Sequence, residues 1–195
     1  MPQPIRSVAV FCGSRVGHDP AHAAAARELG AGLAAAGLTL VYGGGGIGLM
    51  ALVAKAALEG GGRVRGVIPE FLTRTERPYP ALEELEITES MHERKTRMFS
   101  LADAFVTLSG GLGTIDETVE IITWRQLGLH DKPIIILDIA GWARPFLALV
   151  EAMIGQGFVA EDGHELFGVA NDVPQALRML RQTPADSAAT PMERL

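Results

Sequence analysis

Cysteine is almost missing from this chain. Cys12 stands alone, so no internal disulfide framework exists and a reducing compartment is the simpler expectation. No apolar run approaches the length of a membrane span, and Met1-Pro2-Gln3-Pro4 opens no signal peptide, which points to a cytoplasmic protein without a membrane partner. Basic residues are outnumbered, 17 Lys and Arg against 23 Asp and Glu, giving a formal net charge of −6. That balance argues against a general nucleic-acid binder, whose partner demands a basic surface, but leaves room for one small phosphorylated ligand in a local pocket. The five histidines are scattered without metal-ligand spacing, so no metal is expected.

Glycine, by contrast, is abundant and clustered, with 23 residues concentrated at a few junctions. Short β-type runs alternate with longer helical ones. Strands are expected at 7–11, 38–42, 64–68, 104–108 and 133–137, with helices at 21–36, 47–58, 91–101, 114–126, 143–155 and 174–181. Residues 69–89 carry three prolines and many charges and are expected to form an irregular, lid-like excursion. Residues 1–183 read as one α/β domain and 184–195 as a frayed tail. Strands alternating with helices imply a doubly wound, mostly parallel sheet covered on both faces, its near-continuous apolar strands buried on both sides.

Ligands in such sheets sit beyond the carboxyl ends of the strands. Three strand ends are of interest: Cys12-Gly13-Ser14, Gly43 to Gly48, and Ser109-Gly110-Gly111-Leu112-Gly113-Thr114. Glycines there allow close backbone approach, and a following helix offers unpaired N–H groups and partial positive charge to a phosphate. A tight packing turn would use the same residues. A dinucleotide fingerprint is a weaker match, because Cys12-Gly13-Ser14-Arg15 occupies its usual place after the first strand; no Gly-Lys-Ser/Thr follows any loop, so a P-loop is excluded.

Glu117 admits two readings. Thr114-x-x-Glu117 spells a capping box, in which each side chain bonds the other's backbone N–H. A carboxylate beside a sugar's anomeric carbon also serves to activate water or stabilise an oxocarbenium-like transition state. Arg94 and Lys95 read equally as a solvated helix face or as an anion grip, and Cys12 as a small core residue or a nucleophile. Ser14 is placed to hydrogen-bond a ligand at the first crossover, while Glu120 and Thr123 share roughly a face with Glu117.

Met91-His92-Glu93-Arg94-Lys95 followed by Ser109 to Glu117 resembles the paired signature of the LONELY GUY (LOG) family, M-H-x-R-K and then P-G-G-x-G-T-x-x-E. The likeness runs over roughly residues 5 to 155. It includes Phe11-Cys12-Gly13-Ser14, Tyr42 to Met50, Glu120 to Trp124 and Gln126 to Pro133. The resemblance implies a Rossmann-like homodimer without metal or organic cofactor. It further implies release of an adenine-type base and ribose 5-phosphate from a nucleoside 5′-monophosphate, a cytokinin riboside monophosphate or AMP. It casts Arg94 and Glu117 as the catalytic pair, and Glu70, Lys95, Gly111, Leu112, Gly113, Thr114, Ile115, Asp116, Glu117 and Thr123 as substrate contacts. Gly110 joins them through its loop amide, and Ser14 through its hydroxyl. The chain departs from the pattern at Ser109, where the family has proline, at Ala51, where glycine is usual, and most of all over residues 71–89.

Two other readings differ in class. One is a nucleotide-binding or carrier protein of the same fold without catalysis. The other is a pyridoxal phosphate-dependent lysine decarboxylase, an old label for the family, for which only Lys55, Lys95 and Lys132 could form a Schiff base.

Overall fold

A computed structural model describes residues 4–182. Seven parallel strands lie in the order β4-β3-β2-β1-β5-β6-β7. They are β1 (Ser7–Phe11), β2 (Thr39–Tyr42), β3 (Val64–Pro69), β4 (Glu84–Thr88), β5 (Ala104–Thr107), β6 (Ile134–Leu137) and β7 (Gly168–Ala170). The helices are α1 (Pro20–Ala35), α2 (Gly48–Glu59), α3 (Met91–Leu101), α4 (Leu112–Gln126), α5 (Arg144–Gly155) and α6 (Val173–Gln182). The doubly wound, Rossmann-like α/β expectation holds. Alternation along the strands sorts the core into two layers. Val8, Val10, Leu40 and Tyr42 pack with α1, α2 and α6, whereas Ala9, Phe11, Val41 and Phe105 pack with Met98, Phe99 and Ile121 of α3 and α4.

The chain order reverses between β1 and β5, which pair from Val8↔Ala104 to Phe11↔Thr107. A crevice opens beyond the carboxyl ends of strands at such a reversal, and the loops after β1 and β5 therefore meet. They are joined directly: Gly13 N donates to Ser109 O at 3.0 Å, and Leu49 N donates to Gly13 O at 3.0 Å.

Two strands escaped the sequence reading. Edge strand β4 lies inside the segment expected to be irregular and pairs with β3 from Arg65↔Glu84 to Pro69↔Thr88. Its Glu84 and Glu86 hide the apolar pattern; Arg65 binds Glu84 at 2.9 Å and Arg97 binds Glu86 at 2.6 Å, neutralising an edge that charge also protects from pairing. β7 has only three residues, too few to show a period. The remainder of residues 69–83 is an excursion, but a pinned one. Gly46 N donates to Glu76 O (3.1 Å) and Arg77 O (2.6 Å), and Tyr79 N donates to Gly44 O (3.2 Å). The expected tail at 184–195 lies outside the described residues.

Candidate active site

The helix after β5 begins earlier than its sequence suggests. Gly111 is the N-cap of α4, without any side-chain capping bond, so Leu112, Gly113 and Thr114 form the first turn and Glu117 lies in the second. The capping-box reading of Thr114 and Glu117 is thereby overturned: Thr114 is inside the helix and its partner cannot reach back to an N-cap amide. The first-turn N–H groups of Leu112, Gly113 and Thr114 have no carbonyl within the helix to bond. α4 is anchored to the sheet where Thr107 Oγ1 and Thr118 Oγ1 meet at 2.8 Å, and Thr118 Oγ1 donates to Thr114 O at 2.7 Å. Gly110 must be glycine, because a Cβ there would overlap the Thr114 side chain.

Arg94 comes from the first turn of α3, whose N-cap Ser90 accepts from Glu93 N. Its Nε donates to Val67 O at 3.1 Å, and its Nη1 lies 3.1 Å from Glu117 Oε1. Both side chains are buried. Gly43 leaves the room for this: a Cβ there would collide with the Arg94 guanidinium. The Arg94–Glu117 contact is an ion pair rather than a directed hydrogen bond, since Glu117 Oε1 is buried without a hydrogen-bond partner. Burial pushes the Glu117 carboxyl up to about 7; Arg94 and then Lys95 pull against that shift, while Asp116 and Glu76 add to it.

A cavity of about 190 Å³ surrounds the pair, lined among others by Cys12, Ser14, Met50, Glu76, Met91 and the Gly111 to Thr114 turn. Glu76 is a functional candidate that sequence reasoning missed. Its Oε2 is buried with no hydrogen-bond partner, and burial raises its carboxyl above the ordinary range against the pull of Arg94. Nothing in the composition of its segment marks it; only Pro78 beside it, which pairs across to Gly45, hints that the chain folds back onto the glycine loop. Gly13, Ser14 and Gly111 also line a second, larger lobe of about 390 Å³, walled by Arg15, His22, Leu49, Ser109 and Trp142.

The sequence candidates divide accordingly. Ser14, Arg94, Gly111, Leu112, Gly113, Thr114 and Glu117 converge on the smaller lobe, and Gly110 on the larger. Glu70 is exposed on a short 3-10 turn (Glu70–Leu72) and lines neither lobe. Lys95 and Asp116 stand beside the site and bind each other at 2.7 Å; Glu120 is 3.5 Å from the same Nζ. Burial opposes the Lys95 charge, but Asp116 and Glu120 outweigh it and hold the ammonium above its ordinary range. Ile115 is half-buried, and exposed Thr123 bonds back to Val119 O, further along α4. Cys12 is buried, and burial followed by the Glu117 charge drives its thiol far above the ordinary range, a protonated and poorly nucleophilic state.

Residues 50–180 match a family model described as "Possible lysine decarboxylase". The chain is 43% identical over 182 residues to the rice (Oryza sativa subsp. japonica) protein named "Probable cytokinin riboside 5'-monophosphate phosphoribohydrolase LOG4", covering 93% of this chain and 79% of that one. This chain belongs to the LOG family. A second LOG relative, cytokinin riboside 5′-monophosphate phosphoribohydrolase LOG1 of Arabidopsis thaliana, is 38% identical over 175 residues, or 90% of this chain and 82% of that one. The molybdenum cofactor carrier protein of Chlamydomonas reinhardtii shares the LOG fold at 23% identity. Its TM-score is 0.68, over 92% of this chain and 97% of that one. Against the decarboxylase description, no lysine lines either lobe of the crevice.

Proposed function

We propose that this protein is a phosphoribohydrolase that cleaves the N-glycosidic bond of nucleoside 5′-monophosphates, cytokinin riboside 5′-monophosphates and AMP among them, to free base and ribose 5-phosphate. The observation that carries this reading is the joint placement of an uncapped helix tip and a buried carboxylate in one cavity. The amides of Leu112, Gly113 and Thr114 suit the 5′-phosphate, with the helix dipole adding attraction. Glu117, three residues beyond Thr114, stands roughly 4.5 Å further along the axis, within reach of the anomeric carbon of the bound ribosyl group. Ionised Glu117 then directs water to that carbon or stabilises its developing positive charge. Arg94 keeps the carboxylate in place and offsets part of the burial that favours its protonation. Glu76 Oε2 and Glu117 Oε1, both lacking hydrogen bonds, are acceptors suited to ribose hydroxyls.

No organic cofactor or metal enters this scheme. The curated relatives carry the activity in their names, which supports the assignment of substrate class. The non-catalytic carrier reading draws on the carrier protein's fold alone, and that fold says nothing of turnover. Residues 1–183 are taken as the one functional domain. The protein is further read as cytoplasmic, on its single free cysteine, and as a homodimer without nucleic-acid partners. The outer face of α4 supports the dimer, since Leu112 (90% exposed), Val119 (43%) and Leu127 (67%) form an apolar stripe with Thr123 between them.

The deciding measurement is chromatographic detection of free base from AMP and from isopentenyladenosine monophosphate, with the matching nucleosides as controls. Release from the monophosphates, none from the nucleosides and none from Glu117→Ala is expected. Equal behaviour of wild type and variant would refute the mechanism, and tight binding with no turnover would favour the carrier.

A further inference from the structure

Ser109 stands just before the glycine turn, at a position whose usual occupant in the family pattern would fix the backbone by its ring. Its replacement here is not a loose joint. Ser109 Oγ meets His22 Nδ1 at 2.8 Å, Ser109 O accepts from Gly13 N at 3.0 Å, and Gly110 O accepts from Trp142 Nε1 at 3.1 Å. Three bonds from three different elements thus converge on two residues preceding the N-cap of α4.

The partners are themselves fixed. His22 lies in the first turn of α1, which Asp19 caps by accepting from Ala21 N at 2.8 Å and which Pro20 opens. The Gly17 backbone, at φ +76°, folds over the imidazole so closely that a Cβ there would meet it at 3.0 Å. Trp142 follows a tight turn in which Ala140 (φ 52°) and Gly141 (φ 76°) are both left-handed, so its indole is presented from a constrained corner. Neither residue lines the cavity that holds Arg94 and Glu117.

We propose that His22, through Ser109, is a positioning residue for the phosphate-binding turn, with Trp142 as its counterpart through Gly110. Hydrogen bonding from two side chains here does what a ring-locked residue would do. It aims the Leu112, Gly113 and Thr114 amides before ligand arrives, so that the ordering cost is not charged against binding. The proposal rests on the placement of the 5′-phosphate given above.

The test is calorimetric binding of ribose 5-phosphate, run beside the base-release assay. His22→Ala and Ser109→Ala are each expected to weaken binding about fivefold, the worth of one hydrogen bond. The double variant is expected to be no weaker than either single. His22→Asn, whose side-chain amide can meet the Ser109 hydroxyl, should restore at least half of the loss, and Trp142→Phe should weaken binding by a similar factor. In turnover the loss should fall on KM while kcat changes less than twofold, which a general loss of structure would not produce. Binding by His22→Ala within 1.5-fold of wild type, or single effects that multiply in the double variant, would overturn the proposal. His22→Asn and Ser109→Ala keep it decidable should His22→Ala fold poorly. A wild type that binds ribose 5-phosphate but releases no base would refute the hydrolase reading while leaving the bracing to be judged by binding alone.

Discussion

Arg94 Nη1 and Glu117 Oε1 stand 3.1 Å apart in an interior where the two side chains are only 8% and 9% exposed. At that burial desolvation outweighs the counter-ion, and the carboxyl rises to about 7. A carboxyl that titrates near neutrality suits proton transfer to or from water at the proposed ribosyl centre.

If the ionised form of Glu117 does the work, base release should climb with pH, pass half-maximum near pH 7 and level off about one unit higher, with a limiting slope of one on the acid side. Steady-state kcat/KM measured from pH 5 to 9 checks this; a profile flat across that range, or falling through 7, contradicts it. Gly43→Ala pushes on the Arg94 guanidinium. Since Arg94 lowers the Glu117 carboxyl, the limb should move to higher pH and activity at pH 7 should drop about tenfold.

Folding stability should carry the opposite signature. Glu117 rises from 4.5 in the unfolded chain to about 7 when folded, so the native state binds the extra proton. Its contribution is complete below about pH 4.5 and is lost as pH rises through 7. Urea midpoints of wild type minus those of Glu117→Gln are expected to fall over that window. His130, which burial pushes down to about 4, adds the reverse slope to both proteins and cancels in the difference. A difference independent of pH would mean that the carboxyl is not perturbed.

Glu76 and Glu70 offer an internal comparison. Glu76→Gln removes a charge that raises the Glu117 carboxyl and turns one of two acceptor oxygens facing the cavity into an amide donor. A several-fold higher KM with the acid limb shifted to lower pH is expected. Glu70→Gln, at an exposed position, should match wild type in both. Were Glu70→Gln the damaging change, the placement of the 70–83 segment against the glycine loop would be wrong.

Charge on the outer face of α4 should separate the protomers. Sedimentation of the wild type is expected at twice 20.7 kDa and of Val119→Asp at the single-chain mass. A wild type sedimenting as one chain disproves the dimer.

How far the sequence could be read followed burial. Strands such as Ile134–Leu137, apolar on both faces, and helices with clear ends, such as α3 at Met91–Leu101, were legible to within a residue or two. β4 was not, because its two glutamates are neutralised by Arg63, Arg65 and Arg97 from other elements, a tertiary fact with no local trace. Arg94, Glu117 and the glycine turn were legible because their spacing is local and their motif specific. The start of α4 was misjudged for a related reason: glycines at 110, 111 and 113 read as loop, whereas Gly113 is helical. Glu76 and His22 reach the crevice through long-range bonds to Gly46 and Ser109 that leave no periodic mark.

Because α4 begins at Leu112, directly after its Gly111 N-cap, the tip proposed to bind phosphate and the proposed acid share one rigid rod, and the gap between them is set by helical rise rather than by a hinge. The rod works as a ruler. On the proposed placement a ligand would be gauged by the span from its anionic end to its labile bond, and a sugar phosphate one atom longer or shorter would present that bond out of register. Inserting a single residue between Thr114 and Glu117 would swing the carboxylate about 100° around the axis and take it out of the crevice altogether.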